Sequence, residues 1–152
     1  MKLAEALILR ADCQKRIEQL KSRLLRNARI QEGEQPSEAP AALIVELENV
    51  ARELVDLIKR INKTNSTTAF PNGGSIADAL AERDVIVLRR SALADLATLA
   101  STRLDRITRS EVKYLSTVNV SETQQRADEL AKSYRELEAR IQELNWQTEL
   151  ID

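Results

Sequence analysis

Glycine and proline, the residues that most often interrupt helices and strands, occur in only two short parts of this chain. The 152 residues contain three of each. They lie within residues 32–40 and 70–74, and they are Gly33, Pro36, Pro40, Pro71, Gly73 and Gly74. A β-sandwich or barrel needs a turn about every 8–12 residues. Residues 75–152 contain neither glycine nor proline, so an all-β fold is excluded and long helices are expected.

The spacing of the apolar residues predicts a mainly α fold with four long helices. These helices are expected at about residues 2–31, 41–63, 75–102 and 121–150. Residues 112–120 are rich in β-branched side chains, which favours a short extended segment before the last helix. We expect a single helical domain over residues 1–152, arranged as an elongated antiparallel bundle or coiled coil.

Polar residues at the predicted helix ends match known capping patterns. Ser75 with Asp78, and Ser121 with Gln124, have the three-residue spacing of a capping box at a helix start. Asn65 follows the second helix and is placed to end it, because asparagine tolerates the conformation of a C-terminal cap.

The second and fourth helices have the clearest apolar seams. In the second helix the seam has heptad spacing and comprises Leu43, Leu47, Val50, Leu54, Leu57 and Ile61, widened by Ile44, Ala51 and Ile58. In the fourth helix it comprises Ala127, Leu130, Tyr134, Leu137, Ile141, Leu144, Thr148 and Ile151. Such seams indicate helices that pack along their whole length.

The third helix differs because apolar residues occupy all of its sides. Between Val85 and Thr102 the only charged residues are Arg89, Arg90 and Asp95. A helix that is apolar all round is either central in a bundle or covered on its second face by another subunit. A bundle of long helices in so short a chain is thin, so this pattern indicates a homo-oligomer.

The composition excludes several kinds of site. The chain has no histidine, which removes histidine-based nucleophilic catalysis and histidine-ligated zinc. Its single thiol, Cys13, allows no disulfide within the chain and no cysteine cluster for a metal. We therefore expect no metal and no cofactor. A non-enzymatic protein is the favoured interpretation, and an enzyme whose acidic, basic and amide side chains meet between helices is the alternative.

No part of the chain has the pattern of a membrane or export segment. Glu5 and Arg10 interrupt the apolar N-terminal stretch, which lacks the core of a signal peptide. No uncharged apolar run approaches the roughly 18–20 residues of a spanning helix. We expect a cytoplasmic protein without a membrane span.

The net charge of -1 hides an asymmetry between the two ends of the chain. Residues 1–31 hold eight basic and three acidic side chains, a net charge of +5, and residues 110–152 hold five basic and nine acidic, a net charge of -4. This favours packing of the first helix against the last. Nucleic-acid binding through the basic first helix is an alternative, disfavoured by the acidic pI and the absence of interleaved aromatic residues.

Three charged residues are candidates for a ligand or interface site. Arg10 lies within the apolar arc of the first helix and needs an acidic or carbonyl partner if buried. Arg83 shares a stripe of the third helix with apolar residues, and Asp84 lines the neighbouring stripe. For all three, internal ion pairing is the favoured interpretation and a ligand site is the alternative.

Three stretches together resemble a family of small uncharacterised bacterial proteins often labelled septicolysin-like. They are Ile61-Asn62-Lys63-Thr64-Asn65, Arg109-Ser110-Glu111-Val112-Lys113 and Ile141-Gln142-Glu143-Leu144-Asn145-Trp146. The resemblance implies a small helical bacterial protein, and the label implies a cytolysin or pore-forming protein. Polar and aromatic residues of these stretches are candidate site residues, namely Asn62, Asn65, Arg109, Glu111, Lys113, Asn145 and Trp146.

Three functions follow from these observations. The favoured hypothesis is a non-enzymatic, homo-oligomeric helical scaffold or interaction protein. The first alternative is a membrane-active protein of the septicolysin-like kind, in which the apolar residues 85–100 become exposed. The second alternative is nucleic-acid binding.

Overall fold

Four long helices account for most of the computed structural model, which describes residues 1–102 and 113–152. They are α1 (Leu3–Arg26), α2 (Pro40–Thr67), α3 (Ile76–Ser101) and α4 (Val120–Gln147). The described residues form no β-strand, only isolated bridges such as that between Lys2 and Glu149. The predicted mainly α, four-helix fold is confirmed. None of the described helices is long and apolar enough to cross a membrane.

The chain forms two compact units. The first contains Met1–Ala69 together with Glu143–Asp152, and the second contains Phe70–Gln142. That all 152 residues make one domain remains a prediction. The predicted extended segment is described from residue 113 onward, and residues 113–119 adopt neither helix nor strand.

In the first unit, α1 and α2 pack antiparallel. Arg16 contacts Glu53 at 3.7 Å and Arg23 contacts Glu46 at 4.0 Å, so residue numbers rise along one helix as they fall along the other. The core between them repeats every seven residues and comprises Ala6, Cys13 and Leu20 of α1 with Leu43, Val50, Leu57 and Thr64 of α2. Glu46 and Glu53, the acidic partners of α1 in these two contacts, lie on α2, because consecutive helices are usually neighbours in space.

The predicted ends of the first two helices differ from the observed ends. Helix α1 ends at Arg26, before residue 31, because the Asn27 side chain caps it by donating to the Arg23 carbonyl at 2.9 Å. Asn27 Oδ1 also accepts the Glu38 amide at 3.1 Å, which holds the following loop against the helix. Helix α2 continues to Thr67, so Asn65 lies inside it and is not its cap.

The residues that follow α4 form backbone hydrogen bonds with the first residues of the chain. The Leu3 amide donates to the Thr148 carbonyl at 2.9 Å, and the Leu150 amide donates to the Met1 carbonyl at 2.8 Å. Because α4 ends at Gln147, the seam spacing no longer applies beyond it. Leu150 is therefore buried, while Ile151, predicted to continue the seam, is 36% exposed.

In the second unit, α3 and α4 pack antiparallel. Ser75 caps α3 as predicted, with its hydroxyl accepting the Asp78 amide and the Asp78 carboxylate accepting the Ser75 amide. Helix α4 begins one residue after Asn119, whose side chain accepts the Glu122 amide at 3.0 Å. Asn119 thus caps α4 in place of the predicted Ser121, because it is the residue immediately outside the first turn.

Candidate interaction surface

One side of α3 presents a continuous apolar stripe to solvent. Its large members are Val85, Leu88, Leu96 and Leu99, which are 52%, 69%, 41% and 76% exposed. Ala81 and Ala92 lie on the same stripe and are also exposed. Spacings of three and four residues place all six on one face of the helix. We call these six residues the α3 stripe.

The opposite side of α3 is the one that packs within the second unit. Ile76, Ala79 and Ala97 are buried there, and Leu93 is half-buried. The helix therefore has two apolar faces, of which α4 covers one. The all-round apolar pattern of the sequence agrees with this arrangement, although it does not show which face is covered.

A shallow groove of about 660 Å³ opens between α3 and α4 beside Ala92. Its lining combines apolar and charged side chains, namely Arg89, Ala92, Leu93, Arg126, Glu129, Leu130 and Ser133. The Arg126 guanidinium contacts Glu122 at 3.0 Å and is thereby partly neutralised. The groove extends the apolar surface of the stripe onto the flank of α4.

A second set of exposed apolar residues lies on α2. Ile44, Val55 and Ile58 are 49%, 50% and 36% exposed, whereas the main seam of the same helix is buried or half-buried. Two of them, Ile44 and Ile58, belong to the residues that widen the predicted seam. Within the first unit α1 covers the seam itself. Ile44 and Ile58 remain at the surface, and the third widening residue, Ala51, is half-buried.

Arg83, Asp84 and Glu138 form an ion-pair cluster. The Arg83 guanidinium contacts Asp84 Oδ1 at 2.8 Å and Glu138 Oε2 at 3.2 Å. The bonds to Asp84, and then to Glu138, raise the pKa of Arg83 above its usual value, so the side chain stays charged. A guanidinium held by two carboxylates is an internal salt bridge, which is the interpretation that the sequence favours for Arg83 and Asp84.

Arg10 has no partner of this kind among the described residues. Its side chain is half-buried, and its Nε atom is fully shielded from solvent without a hydrogen-bond acceptor. A buried donor without an acceptor costs free energy. The internal ion pair predicted for Arg10 is thus not seen in the described part of the chain, and a ligand or interface role remains a prediction.

The candidate residues from the three resembling stretches do not form a cluster in the described structure. Asn62 and Lys113 are exposed, and Asn65 is half-buried. Asn145 is buried, whereas its neighbour Trp146 is 55% exposed. Arg109 and Glu111 lie outside the described residues. Among all the candidates that are described, only Arg83 and Asp84 contact each other through a hydrogen bond or ion pair.

The described residues include no evident metal-binding cluster. Within residues 1–102 and 113–152, no group of three or more acidic, cysteine or histidine side chains is placed to hold a metal ion. Cys13 is buried, and its burial followed by the nearby Glu53 raises the pKa of the thiol, which lowers its nucleophilic reactivity. The α3 stripe is a candidate surface that the predicted site residues did not include. Its signal in the sequence was the third helix, which is apolar on all sides.

A solved structure and a family model are similar to this chain. The chain is 46% identical to a functionally unknown conserved protein from Corynebacterium diphtheriae, with a TM-score of 0.93 to its crystal structure and 99% of each chain covered. No curated protein shows significant similarity to it. The model of a family of unknown function, DUF6847, matches residues 10–150. Its description agrees with an uncharacterised family but does not support the septicolysin-like label. The chain belongs to the DUF6847 family.

Proposed function

We propose that this protein is a non-enzymatic, homo-oligomeric scaffold or interaction protein that self-associates through the α3 stripe. The observation that carries the proposal is the exposure of four large aliphatic side chains in one line on α3. Contiguous apolar surface of this kind on a single chain is typical of an interaction site.

The free energy available from the stripe is of the size that association requires. Burying a valine or leucine side chain completely contributes about 1.5–3 kcal/mol. The four large side chains expose between 41% and 76% of their surface, so burying them in two copies contributes about 10 kcal/mol. Association costs about 4–15 kcal/mol in lost freedom of motion. The two terms are comparable, which supports a reversible assembly.

Polar chemistry supports a binding role over an enzymatic one. The candidate polar residues that contact each other are held in the ion pairs of Arg83 with Asp84 and Glu138. Groups engaged in this way are not free to exchange protons with a substrate. We further propose a cytoplasmic location, because a single unpaired thiol suits a reducing compartment.

The nucleic-acid alternative is disfavoured by the contacts of the basic residues of α1. Arg16 contacts Glu53, Lys21 contacts Glu18, and Arg23 contacts Glu38. Because these cations already face carboxylates, their net attraction for phosphate is reduced. The membrane-active alternative depends on the septicolysin-like label, which the family match does not support. Dye release from liposomes over a range of pH and lipid charge tests it.

Sedimentation velocity of the wild type and two matched variants tests the proposal. Leu88→Lys places a charge in the stripe, and Leu25→Lys makes the same change at a leucine of α1 that is 67% exposed outside the stripe. We expect the wild type and Leu25→Lys to sediment as oligomers at micromolar concentration. We expect Leu88→Lys to sediment as a monomer with unchanged helical circular dichroism. A monomeric wild type, or an unaffected Leu88→Lys variant, contradicts the proposal.

A further inference from the structure

The α3 stripe has the same spacing in both directions from its centre. Val85 and Leu99 each lie seven residues from Ala92, and Leu88 and Leu96 each lie four residues from it. Ala92 is also the smallest side chain among these five. A surface that matches itself when the helix direction is reversed is what a two-fold, isologous contact requires.

We infer that two copies of the chain pair through α3, antiparallel and about a two-fold axis at Ala92. The inference rests on the proposed function and specifies its geometry. In this register Val85 faces Leu99 of the second copy, and Leu88 faces Leu96 of the second copy. Ala92 faces its own counterpart, where its small side chain lets the two backbones approach closely at the crossing point.

Electrostatics favours the antiparallel pair over a parallel one. In a parallel pair in register, Asp95 at the edge of the stripe lies beside Asp95 of the second copy, and like charges at that distance repel. The antiparallel pair separates these two carboxylates along the helix axis. It also places the positive N-terminal end of each helix beside the negative C-terminal end of the other. In a parallel pair, Arg89 could form an ion pair with Asp84 of the second copy. Asp84, however, already contacts Arg83 within its own chain.

The area of this contact reaches the lower limit for a specific interface. The segment from Ala81 to Ser101 is about 30 Å long and, with side chains, about 10–12 Å wide. With the flank of α4 that lines the groove beside Ala92, each copy offers roughly 500–600 Å² of surface. The pair then buries about 1,000–1,200 Å², which is sufficient for a reversible dimer.

Disulfide cross-linking of single-cysteine variants of the full chain tests the geometry. Cysteines are introduced in a Cys13→Ala background and also in the wild-type background, where Cys13 is buried and serves as a control. A disulfide needs Cα atoms no more than about 7 Å apart. We expect Ala92→Cys to form a cross-linked dimer under mild oxidation. We expect Leu88→Cys and Leu96→Cys to cross-link when mixed but not alone, because each lies about 12 Å along the axis from its own counterpart.

The outcomes separate this inference from the proposed function. If Leu88→Cys, Ala92→Cys and Leu99→Cys each cross-link alone, the helices are parallel, and the antiparallel inference is overturned while the proposed stripe interface stands. If the chain is oligomeric but none of these cysteines cross-links, both the geometry and the stripe interface are overturned. If the wild type is a monomer at these concentrations, the proposed function itself fails.

Discussion

Arg83 Nη1 lies 3.2 Å from Glu138 Oε2, and this ion pair joins α3 to α4 on the face of α3 opposite the exposed stripe. The ion pair lies on the apolar face of α3 that meets α4. The aliphatic side chains of the other face remain exposed.

Removing the charge of Glu138 tests the strength of this ion pair. Both side chains are only partly exposed, 26% for Arg83 and 28% for Glu138, so the pair is less screened than a surface salt bridge. We expect Glu138→Gln to lower the free energy of unfolding by about 1 kcal/mol, measured by urea denaturation. Asp84→Asn, at a residue that is 66% exposed, serves as the control and is expected to cost less than about 0.5 kcal/mol. Equal decreases in the free energy of unfolding of the two variants contradict a larger contribution from the ion pair with Glu138.

Gly74 cannot be replaced without disturbing the cap of α3. Its φ is +75°, and an added Cβ lies 2.9 Å from Asp78 Oδ2, which accepts the Ser75 amide and hydroxyl. We expect Gly74→Ala to cost about 2 kcal/mol, from backbone strain and loss of the cap. Gly33→Ala is the matched control, because Gly33 also has a positive φ but open space around it, and it is expected to cost about 1 kcal/mol. Similar thermal unfolding midpoints for the two variants argue against a role for the cap.

Glu38 is expected to contribute to the acid sensitivity of the fold. Its hydrogen bonds with the Arg23 guanidinium lower the pKa of the carboxyl below its usual value. The unfolded chain then binds a proton more readily than the folded protein. The stability from this group is therefore fully present above the unfolded-chain pKa of about 4.3 and is lost as the pH falls through the lower folded value.

The comparison of Glu38→Gln with the wild type measures this effect. The difference in unfolding free energy is expected to be largest at neutral pH and to disappear at strongly acidic pH. Glu34→Gln removes the same charge from an exposed position in the same loop, and we expect it to change this pH dependence much less. A constant difference between Glu38→Gln and the wild type at all pH values contradicts the assignment.

Replacing Arg10 with an uncharged residue is expected to stabilise the fold. Its buried Nε has no acceptor among the described residues, and such a donor costs about 1–3 kcal/mol. We expect Arg10→Met, which keeps the length of the side chain, to raise the free energy of unfolding by about 1 kcal/mol. Arg16→Met is the control, because the Arg16 side chain is 48% exposed and its ion pair with Glu53 lies at the surface, and it is expected to be nearly neutral. A marked loss of stability in Arg10→Met, seen in the same urea experiment, indicates that Arg10 has a partner in the folded protein.

Much of the helical architecture follows from local patterns that are visible in the sequence. The capping box of Ser75 and Asp78 formed as predicted, because all of its hydrogen bonds lie within four residues. The seam of α2 is buried or half-buried as its heptad spacing requires. The ends of α1, α2 and α4 were less predictable, because they depend on contacts such as that of Asn27 with the Glu38 amide, 11 residues away.

The surroundings of the candidate site residues were also only partly predictable from the sequence. Internal ion pairing was the favoured interpretation for Arg83 and Asp84, without named partners. One partner of Arg83, Glu138, is 55 residues away in the chain. Asn145 and Trp146 are adjacent in sequence, yet one is buried and the other is largely exposed. Adjacent positions on a helix point in different directions, and only the packing around them decides which direction is covered.

The sequence by itself determined that this chain is helical, because its glycines and prolines are confined to two short segments and its apolar residues repeat at helical spacing. It also indicated that α3 has more apolar surface than one neighbour can cover. Only the tertiary structure decided which side of α3 is covered and which is left as the stripe of Val85, Leu88, Leu96 and Leu99. The physical reason is that periodicity reports the faces of one helix, whereas burial depends on a second helix whose position is set by distant contacts.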